Sequence, residues 1–331
     1  MPDKKYVLLA TGGTIASVPG EKGLVPAISA ERILLALPRL TSQAQWTGRD
    51  VFALDSSNIQ PEEWRVLAGE TFKALKDADG VLITHGTDTM AYTAAALSFM
   101  LGDMNKPVVL TGSQLPLNTP LSDAPANLCE AAASLNILPG GVYILFHHKL
   151  ILGTRAVKLR TTSFDAFDSV NAPLAGEVSA DGIKLNRSLL EPLSRQPAQK
   201  LEDELETRVF LLKLVPGTSP DIFDWILEKG YQGVVIEAFG LGGLHYIRRN
   251  LVDKLAALTR HGIVTLVVTQ CLYERADFTV YEVGHDVLSS HVYSGGDMTT
   301  EAAVTKLMWV LGKPRERMAA LKESLHGEMS L

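Results

Sequence analysis

Apolar and polar positions alternate in short blocks from the first residues onward. Apolar runs near 6–10, 50–54, 80–84, 107–111 and 141–146 read as strands, and the segments between them carry helical spacing. Helices are predicted near 29–37 with Ser29 as N-cap, 61–77 with Pro61 in the first turn, 89–101 and 123–136. Glu62 and Glu63 favour the positive end of the second of these. Such alternation is the signature of parallel βαβ units, so a doubly wound sheet is expected up to about residue 186. From Arg187 to Arg208 the text turns polar and proline-bearing, which predicts a linker. A second α/β block follows, with strands at 209–214, 233–239 and 263–269 and helices near 220–229, 249–260 and 301–311. The expected fold class is therefore α/β: a large N-terminal parallel-sheet domain over 1–186, a linker over 187–208 and a smaller C-terminal α/β domain over 209–331.

Composition narrows the setting. A chain of 331 residues is longer than most single cores tolerate, in keeping with two domains. Hydrophobic residues at 46% and charged residues at 21% place it among ordinary globular proteins. A net charge of −6 without a concentrated basic face argues against a nucleic-acid partner. Two cysteines, Cys129 and Cys271, each beside an apolar run, predict buried thiols in a reduced cytoplasm. The apolar stretch at the N-terminus breaks after about five residues, short of the roughly 7–15 of a signal peptide. No run approaches the ~18 apolar residues of a membrane span, so a cytoplasmic location without a membrane partner is expected.

Candidate chemistry gathers where strands end, which is where open α/β sheets bind small ligands. The run at 6–10 leads into Thr11 and Thr14, that at 51–54 into Asp55, Ser56 and Ser57, that at 81–83 into His85, Thr87 and Asp88, and that at 108–110 into Thr111, Ser113 and Gln114. In TGGTIAS (11–17) two glycines let the backbone leave the strand sharply, although a plain structural turn has the same spacing. In THGTDTM (84–90) the bland alternative is a helix start at Thr89, capped by Thr87 or Asp88, with His85 merely packing. Together the two segments offer a hydroxyl at one strand end and a hydroxyl with a carboxylate at another. That is a nucleophilic site if a base is supplied. Lys158 is the candidate base, because a lysine in a dry pocket can take a hydroxyl proton; the alternative is that Arg155, Lys158 and Arg160 are three solvated cations.

Other chemistries find less support. FGLGGLH (239–245) has His245 where the third glycine of a dinucleotide turn belongs, and neither a P-loop lysine pattern nor G-x-S-x-G occurs. His147 and His148 are adjacent, so on a strand they would point apart, and no metal site is expected.

TGGTIAS, DSSNIQPEEW, THGTDTMAYTAAALSFML, TGSQLP and GTRAVKLRTTSFDAF, with the TQC and YE segments after residue 268, resemble the bacterial cytoplasmic type I L-asparaginases across nearly the whole chain. The resemblance implies that Thr14 attacks the side-chain amide of L-asparagine, while Thr87, Asp88 and Lys158 form a second, rigid set. Ser56 and Ser57 then match the segment that holds the substrate α-carboxylate, Asp88 accepts the α-ammonium, and Thr87 and Ser113 complete the substrate-binding residues. Acyl transfer through a threonyl ester would release aspartate and ammonia without a cofactor. Backbone N–H groups near Thr87 and in the TGG turn would stabilise the oxyanion. A homodimer or homotetramer is implied, with the site completed from segments near Gly242, Gly243, Tyr273 and Tyr281.

One departure stands out: the family's loop tyrosine is absent from Gly23-Leu24-Val25-Pro26, so its role would pass to water or to Tyr246, Tyr273 or Tyr281. The alternatives are a glutaminase-asparaginase of broader specificity, a relative of the tRNA-linked amidotransferases, or a non-catalytic amino-acid sensor. The amidotransferase relatives carry an extra N-terminal domain for which the residues before Ala10 leave no room. Intact Thr14, Thr87, Asp88 and Lys158 argue against a sensor.

Overall fold

A computed structural model describes residues 4–21, 23–36, 44–191, 200–277 and 291–330. The chain divides into two compact units, Met1–Asp203 and Glu204–Leu331. In the first, β1 (Lys5–Gly12), β4 (Gln45–Leu54), β5 (Gly80–Thr84), β6 (Pro107–Thr111) and β7 (Gly141–Phe146) run parallel in the spatial order β4-β1-β5-β6-β7. The chain thus steps from β1 to β4 on one side and then to β5 on the other. This makes the carboxyl ends of β1 and β5 the topological switch point, the place where such sheets leave a crevice.

Three strands then extend the sheet antiparallel beyond β7: β8 (Lys149–Leu152), β11 (Gly176–Ser179) and β12 (Gly182–Leu185). The sheet is consequently mixed, where strand–helix alternation alone predicts it parallel throughout. The reversal comes at His147 and His148, both at positive φ (47° and 67°) in the two-residue turn between β7 and β8. The adjacent histidines thus occupy a hairpin turn and not the strand on which their divergence was argued.

The helices follow their sequence signals closely. Ser29 caps α1 (Ala30–Leu35) by accepting from the Arg32 N–H. α2 (Pro61–Asp77) starts at the proline, with Glu63 reaching back to the Gln60 N–H at 2.9 Å. α3 (Met90–Leu101) has no charged side chain and buries nearly every residue, so its apolar surface needs partners all round. α4 (Ala124–Ser134) packs on β6 and β7. The segment expected to be a linker opens with a short helix, α5 (Arg187–Leu190), and 192–199 lie outside the described residues.

In the second unit β13 (Val209–Lys213), β14 (Gly233–Ala238), β15 (Val264–Thr269) and β16 (Val292–Ser294) form a parallel four-stranded sheet in chain order. α6 (Asp221–Glu228) and α7 (Leu251–Arg260) give Phe223, Ile226, Leu251, Leu255 and Leu258 to one core with the sheet. α8 (Thr300–Gly312) packs against β14. Its Lys306 meets Glu328 at 2.6 Å, both side chains fully sealed from solvent. Cys271 is exposed and Cys129 half-buried, which corrects the expectation of two buried thiols: each lies just past or at the edge of its apolar run. Among the described residues no helix is long and apolar enough to cross a membrane.

Candidate active site

Neighbouring strands β1 and β5 deliver the two threonine segments side by side. Gly12 and Gly13 hold φ of 103° and 73°, and a Cβ on Gly13 would stand 2.4 Å from the Gly86 backbone. Only glycine permits both the positive φ and this approach of the first threonine turn to the second. Gly86 is constrained in turn, since a Cβ there would meet Ser56 Oγ at 2.6 Å.

Thr14 opens a single 3₁₀ turn, Thr14–Ala16, and is half-buried. β2 (Ser17–Gly20) and β3 (Gly23–Pro26) then form a hairpin in which Leu24 pairs with Pro19 and stands exposed with Val25. Its base is tied down: Ser17 Oγ donates to the Gly13 carbonyl at 2.8 Å, and the Ala27 and Ile28 N–H groups both donate to the Ala16 carbonyl.

Thr87 is buried, and its hydroxyl accepts from Lys158 Nζ at 2.8 Å. The same ammonium reaches Asp88 Oδ1 at 2.6 Å, with the lysine side chain 17% and the aspartate 61% exposed. Lys158 therefore touches both groups from β9 (Ala156–Lys158), which pairs with β10 (Phe167–Ser169). The helix-cap alternative does not apply, because α3 begins at Met90 with Thr89 in the N-cap position, and neither Thr87 nor Asp88 caps it. Nor are the three cations of 155–160 alike: Arg155 is buried, Lys158 mostly enclosed and Arg160 exposed, paired with Asp165.

The serine segment is clamped onto this set. Ser56 Oγ accepts from the Asp88 N–H at 3.2 Å, and the Thr89 hydroxyl donates to the Ser56 carbonyl at 2.7 Å. Ser57 is exposed, and its hydroxyl and N–H both serve Asp55 Oδ1, holding that carboxyl below its ordinary range. Ser113 is buried and donates to the Leu115 carbonyl at 2.5 Å, so its hydroxyl is spent within its own turn. The structure brings Ser56, Thr87, Asp88 and Lys158 into direct contact and gives Ser57 and Ser113 local partners.

The supporting residues Asp123, Trp64 and Thr93 escaped the sequence reading, and Gln114 and His85, named there only as strand-end residues, gain partners from them. Asp123 accepts from the Gln114 and Leu115 N–H groups and from Asn127, fixing the TGSQLP turn. Gln114 donates to the Thr161 and Ser163 carbonyls and ties that turn to the segment after Lys158. His85, fully buried, contacts the Gly86 carbonyl through Nδ1 at 2.7 Å and Thr93 Oγ1 through Nε2 at 2.9 Å, while Trp64 Nε1 donates to that oxygen at 3.1 Å. Burial pushes the His85 imidazole down to about 4, so it is neutral at pH 7. A Trp–Thr–His chain of this kind has no signal in linear order, because Trp64 and Thr93 come from different helices. Of the tyrosines considered for the loop role, Tyr246 and Tyr273 are exposed in the second unit and Tyr281 lies outside the described residues.

Fold and geometry define a two-domain α/β protein with a hydroxyl–carboxylate–lysine cluster at the switch point of its larger sheet. The family description "Asparaginase, N-terminal" matches residues 5–191, and "Glutaminase/Asparaginase C-terminal domain" matches 208–323. An L-asparaginase of Thermococcus kodakarensis is 41% identical over 94% of each chain. A glutamyl-tRNA(Gln) amidotransferase component from Archaeoglobus fulgidus is 39% identical over 99% of this chain and 80% of its own length. Among solved structures, the thermostable L-asparaginase from Thermococcus kodakarensis superposes with a TM-score of 0.89 at 38% identity, covering 99% of each chain. L-asparaginase I from Vibrio cholerae gives 0.83 at 29%, covering 99% of this chain and all of the other. The chain belongs to the asparaginase/glutaminase family.

Proposed function

We propose that this protein hydrolyses the side-chain amide of L-asparagine to L-aspartate and ammonia through a threonyl acyl-enzyme. The observation that carries the reading is Lys158 Nζ held at 2.8 Å from the Thr87 hydroxyl and 2.6 Å from the Asp88 carboxylate. Thr14, on the turn backed by Gly86, attacks the amide carbon, and the tetrahedral oxyanion is met by backbone N–H groups of the Thr87 segment and the TGG turn. The proton that Thr14 gives up is relayed through Thr87 and Lys158 to the amide nitrogen, so that ammonia leaves; water then attacks the ester, and its proton returns along the same pair to the Thr14 oxygen as aspartate is released. Asp88, open to solvent at 61%, accepts the α-ammonium, and the Ser56–Ser57 turn faces the α-carboxylate. The chemistry needs no cofactor.

A second reading rests on the amidotransferase component, which matches nearly the whole of this chain. Ammonia release from free asparagine, glutamine and D-asparagine separates the two. Rapid turnover of free L-asparagine supports the hydrolase, and turnover only with a partner protein and charged tRNA supports the amidotransferase. The further proposal is a cytoplasmic homodimer or homotetramer whose C-terminal unit completes the partner's site near Gly242, Gly243 and Tyr273. Sedimentation and activity followed together on dilution test this, and a fully active monomer removes it.

A further inference from the structure

The Trp64–Thr93–His85 chain ends on one particular peptide, and its hydrogens run in one direction. Trp64 Nε1 can only donate, so Thr93 Oγ1 accepts there and its own proton is free for His85 Nε2. The Gly86 carbonyl can only accept, so His85 Nδ1 carries the ring proton. Each member is buried, with Thr93 and His85 fully enclosed and Trp64 nearly so, so water cannot replace a lost link. The last acceptor is the carbonyl of the Gly86–Thr87 peptide, whose N–H belongs to Thr87.

We infer that Trp64, Thr93 and His85 are positioning residues that fix and polarise the Gly86–Thr87 peptide, so that the Thr87 N–H meets a developing oxyanion as a stronger and already oriented donor. A donor on the carbonyl of an amide draws electron density from its nitrogen and strengthens the N–H on the other side, and chains of such bonds reinforce one another. Freezing that peptide before substrate arrives also removes a reorganisation cost from the transition state. The role rests on the acyl-transfer reading only for its kinetic consequence. The direction of the hydrogens and the polarised peptide are properties of the resting protein.

Two measurements test it, on the intact protein. With ¹⁵N-labelled histidine, the His85 ring should show a protonated Nδ1 and a bare Nε2 unchanged between pH 8 and 5, and the Thr87 amide signal should move upfield in Thr93→Val and return in Thr93→Ser. In kinetics, Thr93→Val should lower kcat on the order of tenfold with KM nearly unchanged, less than the ~10²–10³ lost with an oxyanion donor itself, and Thr93→Ser should restore it. Trp64→Phe, which removes the first donor and keeps the packing, should give a smaller loss of the same kind. An Nε2-protonated or charged His85 at pH 7, or an unmoved Thr87 amide in Thr93→Val, overturns the inference even if the protein hydrolyses no asparagine. Kinetics of Thr93→Val within twofold of the parent overturn its catalytic part. Should Thr93→Val not fold, the His85 signals of the parent and the Trp64→Phe pair of measurements decide by the same criteria.

Discussion

Two lysine–carboxylate pairs of equal length stand in the two units of this protein in different surroundings. Lys158 meets Asp88 at 2.6 Å with the carboxylate 61% exposed, and Lys306 meets Glu328 at 2.6 Å with both side chains at 0%. Around Glu328 the remaining capacity is taken up: its oxygens also accept from the Leu325 and His326 N–H groups, and Lys306 donates further to the Glu323 carbonyl. Burial opposes its charge, yet Lys306 and these donors outweigh burial and hold the Glu328 carboxyl below its ordinary range. The pair thereby pins the chain end against α8. At Lys158 the geometry is left incomplete: one carboxylate faces solvent and one threonine hydroxyl shares the ammonium. Equal in distance and charge, the pairs differ in what hydrogen-bonding capacity is left: it is spent at Glu328 and open to solvent at Asp88.

The largest expected effect lies on the site side of this contrast. Thr14→Ala and Thr87→Val should each lose most turnover while folding normally, on the order of 10⁴-fold or about 5.5 kcal/mol of barrier. Retention of more than about a tenth of parental kcat, a loss below ~1.4 kcal/mol, removes the assigned role of that threonine. The two lysines should then dissociate. Lys158→Met should cost kcat ~10²–10⁴-fold, far more than it raises KM, with an unchanged melting curve. Asp88→Asn should damage both constants. Lys306→Met should instead lose about 3–5 kcal/mol of stability, because Glu328 is left charged and sealed. Denaturant titration beside steady-state kinetics reads both, and a stability loss in the Lys158 variant equal to that in the Lys306 variant erases the distinction.

A smaller effect concerns the close approach at the switch point. Gly13→Ala should cost about 1–3 kcal/mol, since φ of 73° and a Cβ 2.4 Å from the Gly86 backbone both oppose a side chain. Gly23→Ala, whose Cβ meets nothing within 4 Å, should cost less despite its φ of 140°. Equal melting temperatures for the two variants would show that the two threonine turns do not touch.

The smallest effect is in pH and again divides the units. Desolvation, with Glu237 nearby, pushes the Glu301 carboxyl up to about 7. Its contribution is present below the ordinary carboxyl range and lost as pH rises through about 7, so the second unit should weaken from pH 5 to 8. His85, pushed down to about 4, has the opposite sign: its contribution is present above the ordinary imidazole value and lost as pH falls toward 4. The two windows overlap and oppose each other, so in the parent they largely cancel between about pH 5 and 6.5; calorimetry of Glu301→Gln should uncover the His85 slope alone, with stability rising with pH across that range.

Much of this molecule was legible in linear order because the signals are local. Pro61 with Glu63, Ser29 and the uninterrupted apolar run of α3 each specify an element through their immediate neighbours, and the strands of both sheets declare themselves as apolar runs. The threonine candidates were legible because a strand end beside glycines announces where side chains emerge, and the serines because they too follow an apolar run; Lys158 was drawn into the set by the family resemblance. What a strand end does not announce is which hydroxyl remains available. Ser113 and Ser57 look like Ser56 in sequence, yet each gives its proton to a neighbour in its own turn. The antiparallel extension past His147 and His148 was hidden because a two-residue turn at positive φ needs no glycine when tertiary packing holds it.

Periodicity and capping residues settled the α/β class, the two blocks and the strand ends at which chemistry gathers, since these depend on residues a few positions apart. Only tertiary structure brought Lys158 onto Thr87, 71 positions away, joined Trp64 through Thr93 to His85, and sealed Lys306 against Glu328 while leaving Asp88 open. Those outcomes depend on which surfaces the sheet order brings together and on which polar groups packing leaves in reach of solvent, and neither quantity is a property of neighbouring residues in the chain.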